Sequence, residues 1–208
     1  MTLSTPVGEE RGLVVEDTRE RLLDTVEVAL REDGLAQLSL RRVAARCGLS
    51  HNAPGALFGD RAGLLTAFAA RGFRRLAGAA RVAEQAEDGR AALAAVGRAY
   101  VAFAIEQRDT FEVMFRPELL RTDDPQLLSA RDAAYHNLTA AIRRCVAEGR
   151  VTPERADLVG VSAWSLVHGL ATLVLCGHLE RRTGPADPAV LADRVTALFV
   201  DAVVGGTR

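Results

Sequence analysis

Apolar positions recur at three- and four-residue spacing along most of this chain, and this period predicts helices rather than strands. In the first half, helices are predicted at about residues 18–31, 40–47, 51–57 and 61–84. In the second half, they are predicted at about 90–107, 125–148, 153–179 and 186–204, with an irregular segment at 109–124. We find no internal repeat and no strand-like alternation. The pattern therefore predicts an all-α protein.

The two short predicted helices are joined by a tight turn. Ser39 can cap the first helix, Gly48 can adopt the left-handed backbone that ends it, and Ser50 can cap the second. This is the arrangement of a helix-turn-helix, whose second helix lies in the DNA major groove. We therefore predict a helix-turn-helix DNA-binding domain at residues 17–60, preceded by a disordered leader at residues 1–16.

Charge is distributed unevenly, although the net charge is only −1. Residues 1–33 hold 4 Arg and 9 acids (−5), residues 34–75 hold 7 Arg and 1 Asp (+6), and the remainder holds 15 Arg and 17 acids (−2). A basic segment of this kind attracts phosphate backbones. The alternative is a solvated basic face that has no partner.

Composition narrows the class of protein. Apolar residues make up 49% of the chain and aromatic residues only 5%, which favours a helical core rich in Ala and Leu. Cys47, Cys145 and Cys176 are widely spaced and indicate neither a disulfide framework nor a metal site. The N-terminus is unlike a signal peptide, and no apolar run is expected to be long enough to span a bilayer. We expect a soluble, cytoplasmic protein with no cofactor.

The last two predicted helices are unusually apolar. Residues 158–177 carry no charge, and residues 186–204 are also strongly apolar. A helix that is apolar on all sides must be buried in a core or against another subunit. Two such helices paired with the same two from a second copy form a four-helix bundle. We predict a homodimer through these helices, and the alternative is a purely intramolecular core.

The chain resembles the tetracycline-repressor (TetR) family of transcriptional regulators. Residues 18–73 match its DNA-binding domain at Gly34, Leu38-Ser39, Val43-Ala44, Gly48-Leu49-Ser50, Phe58, Arg61 and Leu64-Leu65. The SHNAP sequence at 50–54 and Trp164…His168-Gly169 are similar to one branch of the family. The resemblance implies a C-terminal effector-binding and dimerisation domain at residues 61–208. It also implies a Tyr and a His that touch DNA, but Gly55 and Leu57 stand in their places.

Candidate DNA contacts lie at the starts of the short helices and of the long helix. They are Ser39, Arg41, Arg42, Ser50, His51, Asn52 and Arg61. Arg41 and Arg42 are expected to meet phosphates, and Ser50 to cap its helix or donate to a phosphate. Asn52, with His51, is a candidate for base recognition because Asn can pair with adenine through two hydrogen bonds. The resemblance places Arg61 where the family has a phosphate-binding Lys. The alternatives are an exposed polar turn and ordinary surface charges.

Candidate effector-binding residues combine aromatic rings with a few polar groups, as a ligand pocket requires. They are Phe103, Phe111, Met114, Phe115, Tyr135, Trp164 and His168. Trp164 and His168 are four residues apart and share a helix face. The alternative is that these residues belong to the core and that His168 is hydrogen-bonded within the fold.

The sequence therefore predicts a dimeric repressor that binds a pseudo-palindromic operator in double-stranded DNA and is released by an unknown small-molecule effector. No enzyme is predicted, because Ser162 and Ser165 near His168 lack the GxSxG turn that exposes a nucleophile. The alternative function is a dimeric small-molecule-binding protein whose DNA binding is weakened or lost. Gly55 and Leu57 favour that alternative.

Overall fold

A computed structural model describes residues 7–179 and 187–204, and within these residues it contains nine α-helices and no strand. The α-helices are α1 (Val7–Asp33), α2 (Leu40–Arg46), α3 (Ala53–Phe58), α4 (Arg61–Ala80), α5 (Gly89–Glu106), α6 (Arg108–Met114), α7 (Pro125–Ala147), α8 (Ala156–Leu175) and α9 (Pro188–Val204). Short 3₁₀ turns lie at Leu35–Gln37, Arg81–Gln85, Pro117–Leu119 and Pro153–Arg155. The all-α prediction is confirmed.

Polar caps set several helix starts, and the predicted cap at Ser39 is one of them. The Oγ of Ser39 accepts a hydrogen bond from the backbone N–H of Arg42 at 3.3 Å, which caps α2. Asp60 caps α4 in the same way through the N–H of Gly63, at 2.9 Å. The predicted helices at 40–47, 90–107 and 125–148 therefore agree closely with α2, α5 and α7.

The first helix is longer than predicted. α1 begins at Val7 rather than near residue 18, so the predicted disordered leader is wrong for residues 7–16, and residues 1–6 lie outside the described residues. Val14 and Val15 are exposed on this extension, and the hydroxyl of Thr18 donates to the carbonyl of Val14 at 2.8 Å. The polar sequence of this segment indicates only that it is exposed to solvent, and an exposed segment can still be helical.

The segment 109–124, predicted to be irregular, contains helix α6. The backbone of Gln107 leaves helical geometry (φ −116°, ψ 42°), which separates α5 from α6 without Gly or Pro at the break. The N–H of Phe111 nevertheless donates to the carbonyl of Gln107 at 2.8 Å, so a new helix starts at once. Sequence reasoning depends on Gly and Pro as breakers, and neither marks this junction.

Helices α3, α4 and α8 also differ from prediction at their ends. α3 begins at Ala53, with Asn52 as its N-cap residue and Pro54 in its first turn, where the missing N–H of proline is harmless. α4 ends at Ala80 and continues as a 3₁₀ turn, and α8 begins at Ala156 after another.

One buried cluster joins the N-terminal helices to the rest of the chain. It includes Leu22 of α1, Leu64 and Phe68 of α4, Val101 of α5 and Met114 of α6, all with essentially no exposed surface. A second cluster is built around α5, α7, α8 and α9. α4 packs along α7, and α9 packs along α5. The core is thus continuous across residue 60.

The expectation that no apolar run is long enough to cross a bilayer is wrong for one segment. Pro153–Leu175 is 23 residues long and contains an 18-residue stretch with a mean hydropathy of 1.8, which is sufficient by length and composition alone. About one third of that stretch (33%) is buried within the chain, mainly against α5.

Candidate DNA-binding surface and ligand cavity

The predicted turn between α2 and α3 is present. Gly48 has a φ of 65°, in the left-handed region that favours glycine, and the N–H of Leu49 donates to the carbonyl of Ala44 at 3.0 Å. Val43 and Phe58 are buried and anchor the two helices to α1 and α4. The frame of the helix-turn-helix therefore follows the sequence prediction.

The predicted base-reading residues stand free at the start of α3. Ser50, His51 and Asn52 are all exposed. The Oγ of Ser50 accepts from the N–H of Asn52 at 3.3 Å, so Ser50 stabilises the turn, and Asn52 takes the N-cap position predicted for Ser50. The side chains of His51 and Asn52 are thus available to a partner.

Most arginines of the basic segment 34–75 are paired with acids of α1. Arg42 lies 3.6 Å from Asp33, and its guanidinium also donates to Gln37. Arg46 contacts Glu32 at 2.6 Å and Asp33 at 2.9 Å. Arg71 and Arg75 pair with α1 as well. The net charge of +6 therefore overstates the positive field of this surface, because the sequence count separates segments that fold together.

Arg71 is the most enclosed of these cations. It is buried, and its guanidinium reaches Asp24 at 2.6 Å, Glu20 at 3.2 Å and Glu27 at 3.3 Å. Arg75 is half-exposed and contacts only Glu27, at 2.7 Å. Both arginines tie α4 to α1.

Arg61 and Arg41 differ in what they contact. The guanidinium of Arg61 donates to the carbonyl of Leu38 at 3.0 Å and to that of Leu35 at 2.9 Å, which holds the 3₁₀ turn before α2. Arg41 is exposed, with no ion pair to any residue in the described part of the chain. Among the predicted phosphate contacts, Arg41 is therefore the arginine whose side chain is freest to bind a partner. The side chain of Arg61 instead stabilises the fold through its two hydrogen bonds to backbone carbonyls.

A cavity of about 510 Å³ lies between α4 and the C-terminal helices and is lined mainly by apolar side chains. Four of the predicted effector-binding residues line it: Met114, Phe115, Tyr135 and Trp164. Tyr135 and Trp164 are half-exposed, with ring centroids 6.2 Å apart in an edge-to-face arrangement. Together with Pro117 and Asp132, they form the exposed part of the lining.

The other three predicted effector residues do not line the cavity but pack beside it. Nδ1 of His168 lies 2.9 Å from the hydroxyl of Tyr100, and its ring lies 5.6 Å from that of Phe111. Phe103 is buried in the same cluster. Burial lowers the pKa of His168, which favours its neutral form, and burial raises the pKa of Tyr100. For these three residues the structure agrees with the alternative of a core role.

Several lining residues are missing from the sequence prediction. They are contributed by α4, α5, α7 and α9 and include Phe73, Tyr100, Arg131, Thr196 and Phe199. Thr196 is only 3% exposed, and its hydroxyl has no hydrogen-bond partner among the residues that the structure describes. Nothing in the sequence marks a single threonine in an apolar helix as part of a cavity lining.

A family model for the tetracyclin repressor-like C-terminal domain matches residues 93–199. This match covers half of the chain and spans most of the cavity. The chain belongs to the TetR family. The resemblance predicted from sequence is confirmed, and this TetR-family protein is a DNA-binding transcriptional regulator rather than an enzyme. Its assignment to the Trp164…His168-Gly169 branch stays a prediction.

Solved structures share this fold over almost their whole length. A protein of unknown function from Rhodococcus sp. RHA1 is 32% identical, with 89% of this chain and 95% of that chain covered and a TM-score of 0.78. A TetR transcription regulator from Haloarcula marismortui ATCC 43049 is 21% identical over 91% and 99%, with a TM-score of 0.71. The TetR-family regulator PfmR from Thermus thermophilus is 23% identical over 90% and 99%, with a TM-score of 0.61. No curated protein matches the chain.

Proposed function

We propose that this TetR-family regulator is a repressor that binds a pseudo-palindromic operator as a homodimer and is released when a small molecule fills the cavity. The observation that carries the proposal is the combination of an exposed turn at His51 and Asn52 with an apolar cavity of about 510 Å³. A cavity of this size lies within the range of about 300–1,000 Å³ typical of ligand sites.

Base recognition is assigned to His51 and Asn52, and phosphate contact to Arg41, Ser39 and Ser50. The amide of Asn52 can accept and donate one hydrogen bond each to adenine. Arg42 can add to the phosphate contacts if DNA competes with Asp33, from which it is separated by 3.6 Å. For Arg61 we propose a supporting role, because its guanidinium is held by two backbone carbonyls.

The proposed dimer interface is the outward side of α8 and α9. Leu158 and Val161 of α8 are exposed, at 67% and 54%, and Leu198 of α9 is 72% exposed. An apolar surface of this kind on two adjacent helices marks an interaction site, and a second copy would bury it in a four-helix bundle. The double variant L158E/L198E should sediment as a monomer at concentrations where the wild type is dimeric. An unchanged sedimentation coefficient would place the interface elsewhere.

The segment between α6 and α7 is the proposed route from cavity to DNA. Phe115 and Pro117 line the cavity, and Arg121 follows them. The guanidinium of Arg121 pairs with Asp60 at 3.0 Å, and the backbone N–H of Arg121 donates to the hydroxyl of Thr66 at 2.9 Å. Asp60 caps α4 directly after the recognition helix. A ligand that displaces Phe115 would thereby move the start of α4. R121A should still bind a ligand but release DNA less readily.

The experiment that tests the repressor is a gel shift on the DNA flanking its own gene. We expect a shift that survives excess unrelated competitor DNA and weakens steeply as salt is raised, because phosphate contacts release counterions. The absence of any shift at low salt would contradict the repressor.

A second function is favoured by the pairing of four of the basic segment's arginines with α1. In that case the protein is a dimeric ligand-binding module with weakened DNA binding. A protein that binds ligand but gives no shift at low salt would fit this second function.

A further inference from the structure

Among the described residues, Arg131 of α7 is the only arginine that is at least partly buried and whose guanidinium has neither an ion pair nor a hydrogen bond. The other arginines of this part of the chain that are not exposed all donate to a carboxylate, a side-chain amide or a backbone carbonyl: Arg19, Arg61, Arg71, Arg144 and Arg150. The guanidinium of Arg131 instead lies over the ring of Phe73, 5.5 Å from its centroid. A ring face attracts a cation, but the N–H groups of Arg131 are left without acceptors in the protein.

This guanidinium belongs to the lining of the cavity. Four lining residues of α7 recur at three- and four-residue spacing and so share one face of the helix: Arg131, Ala134, Tyr135 and Leu138. Asp132 is the other charged residue of the lining, but it is exposed, and no ion pair joins it to Arg131. The lining residues outside α7 are all uncharged. One unpaired cation therefore lies beside the exposed residues Asp132 and Tyr135, at the edge of an otherwise apolar cavity.

The guanidinium of Arg131 is suited to a carboxylate ligand. The planar fork of an arginine donates two parallel hydrogen bonds to a carboxylate, and such charge-assisted bonds are roughly twice as strong as neutral ones. A dianion such as a phosphate monoester is less suited, because the lining offers a single cation and places Asp132 at the next position of α7. An amine is repelled by Arg131. The charge of the lining therefore matches a ligand with one negative charge.

We propose that the cavity binds a monocarboxylic acid with an apolar body, and that its carboxylate pairs with Arg131. The apolar body lies toward α5, α8 and α9, where Leu93, Val167 and Val200 line the cavity, and its burial favours binding. The carboxylate stays at the exposed edge of the cavity, so it is not fully desolvated. This inference names the class of effector. It rests on the ligand-binding part of the proposed function and not on DNA binding.

The test is calorimetric titration of two series of probes into the DNA-free protein. The aliphatic series is octanoate, octanol and octylamine, and the aromatic series is phenylbutanoate, phenylbutanol and phenylbutylamine. Within each series the apolar body is constant and one end is negative, neutral or positive at about pH 7.5. We expect the acid to be the tightest member of at least one series on the wild type.

Three variants separate recognition of the acid from packing. R131M keeps an apolar stem beside Phe73 but removes the charge, and R131K keeps the charge but not the fork. R143M is the matched control, because Arg143 is an exposed arginine of α7 outside the lining. R131M should bind the preferred acid about tenfold more weakly and leave the alcohol of that series unaffected. R131K should lose less than R131M, and R143M should bind as the wild type does.

Three results would overturn the inference. In the first, an alcohol or an amine is the tightest member of both series, or no probe binds to the wild type. In the second, R131M binds the acid as tightly as the wild type does. In the third, R131M loses acid and alcohol equally, which would mean that Arg131 only supports packing against Phe73. The gel shift uses the same protein without these probes, so a failure of DNA binding is separate from a failure here. If R131M unfolds, R131K and the order of the probes on the wild type still decide the outcome.

Discussion

The helix-turn-helix and the cavity treat polar side chains in opposite ways. Around α2 and α4, Arg46 and Arg71 are satisfied within the chain by carboxylates of α1. In the cavity lining, the hydroxyl of Thr196 has no hydrogen-bond partner among the described residues. The first region is therefore built to hold a fixed shape and to present a few free groups. The second encloses a cavity that is lined mainly by apolar side chains.

The largest expected effect tests whether ion pairs fix the first region. Replacing Arg71 by Met keeps the apolar stem but leaves Asp24 and Glu27 without their common partner. We expect R71M to lower the free energy of unfolding by about 2–3 kcal/mol, less than for a fully buried pair because the acids are partly exposed. Urea denaturation measures this loss.

R75M is the matched control, since Arg75 contacts only Glu27 and is half-exposed. Its loss should stay under about 1 kcal/mol. Equal losses in R71M and R75M would mean that burial of the guanidinium does not matter, and the contrast between the two regions would rest on other contacts.

The second expected effect concerns the exposed side chains of His51 and Asn52 at the start of α3. H51A/N52A should weaken binding to the operator by about tenfold or more, because base contacts are lost. Binding to unrelated DNA should change little. Competitive gel shifts measure both affinities.

R41A is the comparison variant for that experiment. It should weaken both kinds of binding similarly and reduce the slope of log affinity against log salt by about 1, as loss of one phosphate contact predicts. If H51A/N52A keeps full operator preference, the recognition of bases lies in other residues.

The two regions also differ in how far their sequence predicts them. The helix-turn-helix could be predicted because its signals, Ser39 and Gly48, lie within one short segment and act locally, although Ser50 stabilises the turn and Asn52 is the N-cap residue of α3. The ion pairs behind it could not, since Arg71 and Asp24 are 47 residues apart and nothing in the chain specifies that α1 runs beside α4.

The cavity could be predicted only in part. Met114, Phe115, Tyr135 and Trp164 are predictable because large side chains near a break and on an apolar helix are good candidates. The same reasoning includes Phe111 and His168, which pack against each other instead of lining the cavity. Which side of a helix faces a cavity depends on how the surrounding helices pack, and no short-range pattern encodes that.

A smaller effect on stability is expected to distinguish Gly48 from Gly55, two glycines of the helix-turn-helix that both have room for a Cβ. A Cβ at Gly48 or at Gly55 would meet no atom within 4 Å, but only Gly48 has a positive φ. G55A should therefore stabilise the protein by about 0.5–1 kcal/mol, because alanine restricts the unfolded chain. G48A should destabilise it by about 1 kcal/mol or more. Thermal unfolding compares them, and equal effects would contradict a role for backbone conformation.

The smallest expected effect is a pH dependence that originates beside the cavity. Burial lowers the pKa of His168 in the folded protein below its ordinary value of 6.5, so the unfolded chain binds the proton more readily. The stability linked to neutral His168 is complete above about pH 6.5 and is lost as the pH falls toward the lower folded value.

H168Q removes this contribution, and it also changes the hydrogen bond to Tyr100, which lowers stability at every pH. The advantage of the wild type over H168Q in urea denaturation should therefore shrink between about pH 7.5 and about pH 5.5. An advantage that grows on acidification would mean that His168 is stabilised in its charged form. The region beside the cavity would then hold a charge, as the helix-turn-helix does, and the contrast between the two regions would fail at this residue.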